Sequence, residues 1–156
     1  MEFKYNDERF ADIQMLRYQL PDFDSLTARQ KAYIYYLSEA TLWGRNITFD
    51  QNGRYNLLIR KTLEAVLSTY GEQTEDGYDI SAIKPELTEY LKRVWFSNGI
   101  HHHYGCEKFE PGFTQEYFEQ LVRGIPANEL PMAADELLDT ICPVMFNPEI
   151  LPKRVN

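Results

Sequence analysis

A chain of 156 residues is long enough to bury one sizeable core, and its 44% hydrophobic and 14% aromatic content exclude a disordered polymer. A net charge of -8 and a pI near 4.9 argue against nucleic acid, because binding phosphates takes a basic face that displaces their counterions. No apolar run approaches the roughly 20 residues that span a bilayer, so no membrane-embedded segment is expected.

The start, Met1-Glu2-Phe3-Lys4-Tyr5, has neither the basic n-region nor the apolar h-region of a signal peptide. That favours a soluble, cytoplasmic protein, although a signal already removed would leave the same start. Asn6 or Asp7 caps a first predicted helix in which Phe10, Ile13, Leu16 and Leu20 recur at spacings of three and four, and Pro21 stops it. Pro21-Asp22-Phe23-Asp24-Ser25 reads as a turn. Thr27-Ala28-Arg29-Gln30 has the form of a capping box and opens a second helix, expected to run to about Trp43 with Gly44 as its left-handed cap. Tyr33, Tyr35 and Tyr36 beside Leu37 and Ala40 predict a packing face with hydroxyls at its rim, with a ligand-stacking surface as the alternative. Arg45 to Asn56 reads as a loop around the Asn52-Gly53 turn signal.

From Tyr55 onward Leu58, Ile59, Leu63, Val66, Leu67 and Tyr70 form the cleanest helical stripe in the chain, predicted to be central to the core, with Gly71 as its stop. Glu72 to Asp79 is polar and glycine-containing, a candidate surface loop. Pro85 suits the first turn of a helix carrying Leu87, Tyr90, Leu91, Val94 and Trp95, which should end where Asn98-Gly99 tolerates a left-handed conformation. Thr114 caps a short helix bearing Phe118, Leu121 and Val122, ended by Gly124 and Pro126. Ala133 to about Phe146 is a last helical pattern, interrupted by Pro143 and closed by Asn147-Pro148. No alternating strand pattern of useful length is present. The expected fold class is therefore all-α: an irregular domain of about five or six helices with one long loop rich in histidine and aromatic residues.

The stretch around it, Trp95 to Phe113, holds all three histidines, three of the eight glycines and one of the two cysteines. Just past a helix C-terminus, the unsatisfied carbonyls of the macrodipole favour protonated imidazoles. The adjacent histidines lack the four-residue spacing that sets two zinc ligands on one helix face. In an extended chain His101 and His103 would share one side and His102 the other, which leaves open a two-histidine metal site completed by Cys106 or Glu107. In the competing reading the histidines fix the loop by hydrogen bonds to backbone carbonyls and neighbouring carboxylates. Cys106 and Cys142 are too few for a disulfide framework and read as free thiols, Cys142 in the core. No motif near Cys106 supplies the orienting third group that a thiolate–imidazole nucleophile needs.

The run Val94-Trp95-Phe96-Ser97-Asn98-Gly99-Ile100-His101-His102-His103-Tyr104-Gly105, followed by Glu107-Lys108-Phe109-Glu110-Pro111-Gly112-Phe113, resembles the N-terminal region of bacterial dipeptidyl peptidase III, a zinc metallopeptidase family. Phe10 to Tyr18, Gly44-Arg45, Phe49 to Gly53, Tyr55-Asn56-Leu57 and the closing Lys153-Arg154-Val155-Asn156 are similar to the same family, most closely to Bacteroides-type members. The resemblance covers essentially all of this chain but only the first part of a much longer family protein. It implies a two-lobed enzyme that binds peptides in a cleft and releases dipeptides from their N-termini. The family holds zinc with an H-E-x-x-G-H helix and a glutamate from a later E-E-x-R-A-D/E motif. This chain contains neither a His-Glu nor a Glu-Glu dipeptide, so the resemblance assigns it no catalytic residue, no metal ligand and no cofactor of its own. Without a metal to polarise the carbonyl and activate water, the segment alone is expected to be inactive.

What the resemblance does carry over is Tyr104. In the family pattern the aromatic residue just before a Gly-x-x-Lys-Phe run lines a hydrophobic subsite for the N-terminal part of the peptide, and Tyr104 precedes Gly105-Cys106-Glu107-Lys108-Phe109. Residues 1–156 are thus expected to be a single helical segment, the N-terminal part of a larger two-lobed peptidase, supplying scaffold and part of one cleft wall. Its partners would be the remainder of that chain and short peptides, and uncovered apolar surface would promote self-association. The alternatives are a stand-alone helical module that holds peptides or proteins through the aromatic loop, and a separate metal site at the histidine run.

Overall fold

The computed structural model describes residues 3–70 and 80–153, and the chain divides into two compact units, Met1–Thr48 and Phe49–Asn156. In the first unit the chain opens as an antiparallel hairpin, β1 (Asn6–Phe10) and β2 (Ile13–Leu16), and not as the expected helix. The reason lies in the turn. Ala11 adopts a left-handed φ of 49°, the chain reverses at once, and Phe10 comes to face Ile13 in the strand register. A separation of three residues that reads as one helix face is here a cross-strand pair. The Arg17 N–H donates to the Tyr5 carbonyl at 2.7 Å and closes the open end. The described residues are therefore mostly helical but not all-α.

A short 3-10 turn over Pro21–Ser25 leads to the predicted capping box. The Thr27 N–H donates to Gln30 Oε1 at 2.9 Å, and the Gln30 N–H donates to Thr27 Oγ1 at 3.3 Å. Helix α1 then runs Ala28–Asn52, well past the expected end at Trp43 and through the segment expected to be a loop. Gly44 lies in its interior, where a glycine costs only about 1 kcal/mol relative to alanine and does not by itself end a helix. The stop is Gly53, whose N–H reaches the Phe49 carbonyl at 3.2 Å. Tyr33, Tyr35 and Tyr36 do not form the predicted packing face, being 65%, 58% and 70% exposed.

The second unit contains the large core. Helix α2 (Asn56–Tyr70) fully buries Ile59, Leu63 and Val66, as its stripe predicts, and packs against α3 (Lys84–Ser97). Helices α4 (Gln115–Arg123) and α5 (Ala134–Phe146) complete the unit, adding Phe118 and Leu121 from one and Leu137 and Ile141 from the other. Each such side chain taken out of water contributes about 1.5–3 kcal/mol. The Tyr70 hydroxyl donates to the Leu121 carbonyl at 2.9 Å and ties α2 to α4. Thr114 caps α4 as expected, its Oγ1 accepting the Tyr117 N–H at 3.3 Å.

Pro143 sits inside α5 without interrupting it. Pro143 and Asp139, one turn earlier, both lie on the exposed face, so the carbonyl that loses its N–H donor is left to water. The predicted stop at Gly71 and the loop Glu72 to Asp79 fall outside the described residues. Among the described residues no helix is long and apolar enough to cross a membrane.

Candidate functional site

Helix α3 ends where its sequence places the end. Asn98 is left-handed, with φ 52° and ψ 40°, and the Gly99 N–H reaches back to the Val94 carbonyl at 3.0 Å. Two asparagines from outside the loop brace this exit. Asn52 Nδ2 donates to the Ser97 and Asn98 carbonyls at 3.4 and 3.3 Å, and Asn56 Oδ1 accepts the Ile100 N–H at 3.3 Å. Asn56 is buried so close to the turn that a Cβ on Gly99 would lie 2.2 Å from its Nδ2.

Beyond Gly99 the histidine-rich segment folds back on itself as a small hairpin. The Phe109 N–H donates to the Ile100 carbonyl and the His102 N–H to the Glu107 carbonyl, both at 2.8 Å, and His101 pairs with Lys108 in an antiparallel bridge. Ile100 and Phe109 are buried and anchor the base. At the tip, His102 Nδ1 accepts the backbone N–H groups of Tyr104 and Gly105 at 3.2 and 3.1 Å. His102 thus fixes the tip by accepting N–H donors, while His101 makes a backbone hydrogen bond of the expected kind at Leu151.

Because the chain turns here, the alternation expected of an extended segment is lost: the His102 and His103 rings stack with centroids 4.4 Å apart and planes 29° apart. His103 also meets the edge of Phe96 at 4.9 Å and the Tyr104 ring at 4.2 Å. Behind them the Arg93 guanidinium lies 5.3 Å over the Phe109 ring. Tyr104 stands at the outer end of this array, 92% exposed. The hairpin therefore presents one aromatic side chain on a hydrogen-bonded support.

Lys108, which enters the sequence reading only as the lysine of the Gly-x-x-Lys-Phe run, locks the hairpin to α5. Its ammonium donates to the Val144 and Asn147 carbonyls, each at 2.9 Å, and to the Ile150 carbonyl. It thereby satisfies carbonyls that a helix C-terminus leaves open. Burial pulls this ammonium below its usual value, against the three carbonyls, which favour the charged form. The signal in the sequence is slight: one cation between Glu107 and Glu110.

The His101 imidazole is held below its ordinary value, first by burial and then by the Lys108 charge, with a backbone hydrogen bond at Leu151 acting the other way and Lys153 adding to the depression. For His101 this runs against the expectation of a protonated imidazole after α3. The macrodipole fades within the last turn, and the end of α3 already has Gly99 and Asn52 as donors to its carbonyls.

Among the described residues no group of three His, Cys, Asp or Glu side chains is placed to hold a metal ion. His102 Nδ1 is already engaged by two N–H groups, and Cys106 is exposed at the tip. The donor set of His101 and His103 with Cys106 or Glu107 is thus not assembled among the described residues. Cys142 is buried in α5, where burial, reinforced by the Glu119 charge, pushes its thiol up to about 12. Comparison with models of known protein families finds none that matches this chain, and no curated protein matches it.

Proposed function

We propose that this chain is the N-terminal helical part of a dipeptidyl peptidase III-like exopeptidase and contributes scaffold and one piece of the peptide-binding wall. The observation that carries this reading is Tyr104, 92% exposed on a hairpin tip whose backbone is tied by His102 and whose base is anchored by Lys108. An aromatic ring with a polar tip, held on a fixed support, packs on a peptide side chain while its hydroxyl bonds the peptide backbone. The resemblance of Val94 to Phe113 to the family supports the same role. In this reading the zinc and the hydrolytic residues belong to the rest of the enzyme, short peptides are its substrates, and the 156 residues alone do not cleave.

The test is release of dipeptides from a chromogenic dipeptidyl substrate with zinc present, comparing this chain with one extended through the downstream coding sequence. Activity is expected only in the longer chain, where Tyr104→Ala should raise KM more than it lowers kcat. Zinc-dependent cleavage by the 156 residues, surviving purification controls, overturns the reading. The exposure of Tyr104 also favours a second reading, a stand-alone peptide-binding module. Peptide binding by the isolated chain, abolished by Tyr104→Ala, would select it over the first if no longer gene product exists.

A further inference from the structure

We propose that a groove between α3 and the exit of the hairpin is a binding site for an organic cation, the guanidinium or ammonium head of an alkyl chain. The site is separate from Tyr104 and does not rest on the peptidase reading. The groove encloses about 340 Å³, at the small end of the ~300–1,000 Å³ typical of ligand pockets. Glu86, Glu89, Tyr90 and Arg93 line it from one face of α3, and Glu110 and Gly112 line it from the chain leaving the hairpin.

Two independent features point to a ligand. The first is Tyr90, which is 2% exposed and whose hydroxyl has no hydrogen-bond partner among the described residues. Its ring is fixed edge-on to Phe113 with centroids 5.7 Å apart. Burial holds the phenol well above its usual value, so it stays protonated and can both donate and accept. A buried hydroxyl left unsatisfied is destabilising in the free protein, and a ligand atom that completes its bond removes that cost.

The second is the charge around it. Glu86, on α3, and Glu110, on the chain leaving the hairpin, are exposed at the groove and have no ion pair among the described residues. Glu89 and Arg93 approach at 3.6 Å, and Arg93 also stacks on Phe109, so the one cation of the lining is already engaged. The lining is therefore net negative, in a chain whose overall charge of -8 already attracts cations. The carboxylates do not converge as a metal-holding group. Separated carboxylates around a partly apolar floor instead match an elongated cation, its head between Glu86 and Glu110 and its methylene stem along Pro85 and the Tyr90 ring.

The experiment titrates the intact 156-residue chain, followed by backbone amide NMR, with an acetylated and amidated glycine-arginine-glycine tripeptide. The same tripeptide with citrulline in place of arginine, which keeps the shape and removes the charge, is the control. Spermidine forms a third arm. The arginine peptide should bind at least about tenfold more tightly than the citrulline peptide, more weakly at high salt, with shifts centred on Glu110 and Gly112. Glu86→Gln with Glu110→Gln should abolish the preference, and Tyr90→Phe, which keeps the ring, should weaken binding several-fold. Tighter binding of spermidine than of the arginine peptide assigns the site to free polyamines, and the reverse assigns it to a basic segment of a protein. Equal affinity for arginine and citrulline, an unaltered preference in the double variant, an unaltered affinity in Tyr90→Phe, or no shift at Gly112 with millimolar peptide overturns the proposal.

Discussion

His101 makes the stability of the second unit depend on pH in a direction that can be worked out. Its folded imidazole binds a proton less readily than the unfolded one, whose ordinary value is 6.5. Below that value the unfolded state holds more protons, so stability is intact above about pH 6.5 and is lost as the pH falls toward the depressed folded value. One proton sets an upper slope of about 1.4 kcal/mol per pH unit, and a half-buried, partly screened ring will deliver less. Denaturant titrations between about pH 7 and 5 should show wild type losing stability relative to His101→Gln, while parallel profiles would remove His101 as the cause. Gly99 tests the brace beneath it. Gly99→Ala should cost about 2–4 kcal/mol, combining an unusual φ of 154° with a Cβ placed 2.2 Å from Asn56 Nδ2. Asn56→Ala in the same chain should recover part of that loss, and strict additivity of the two changes would mean that they do not touch. At this scale Asn98-Gly99 was legible, because a left-handed cap is written in residue type. Asn56 and Lys108 were not, because their partners lie at Ile100 and Val144, far along the chain.

Among the elements, those with strong local punctuation were readable and those decided by turn chemistry were not. Pro85, Thr114 and the stripe of α2 each state a boundary or a buried face in adjacent residues, and the helices form there. The pair Phe10 and Ile13 carries no such distinction, since three residues separate both a helix face and the two sides of a tight turn. Gly44 reads as a stop because glycine caps helices, yet it is the Asn52-Gly53 pair that ends α1. That difference is measurable. A Cβ at Gly44 would meet nothing within 4 Å, so Gly44→Ala should stabilise α1 by up to about 1 kcal/mol through helix propensity alone. The loss of helical circular dichroism on heating should move to higher temperature. A lower melting temperature would mean that this position is not in a helix interior.

For the whole molecule, the exposed apolar side chains of α1 bear on association. Tyr36, Leu37, Leu42, Trp43 and Ile47 are 70%, 49%, 49%, 89% and 58% exposed along it, and they fall on more than one side of the helix. A helix apolar all round is normally covered, and exposed patches of this kind drive association. If the chain is one part of a larger lobe, as proposed, its isolated form should therefore self-associate with rising concentration despite a net charge of -8. Sedimentation velocity over a wide concentration range should show the weight-average mass climbing above 18.4 kDa. Tyr36→Glu with Trp43→Glu should return it to the monomer without loss of helical signal, because both side chains are exposed and make no core contact. A wild-type chain that stays monomeric at the highest concentration and melts in one cooperative step would show that the segment is self-sufficient. In that event the stand-alone peptide-binding module becomes the stronger account of Tyr104.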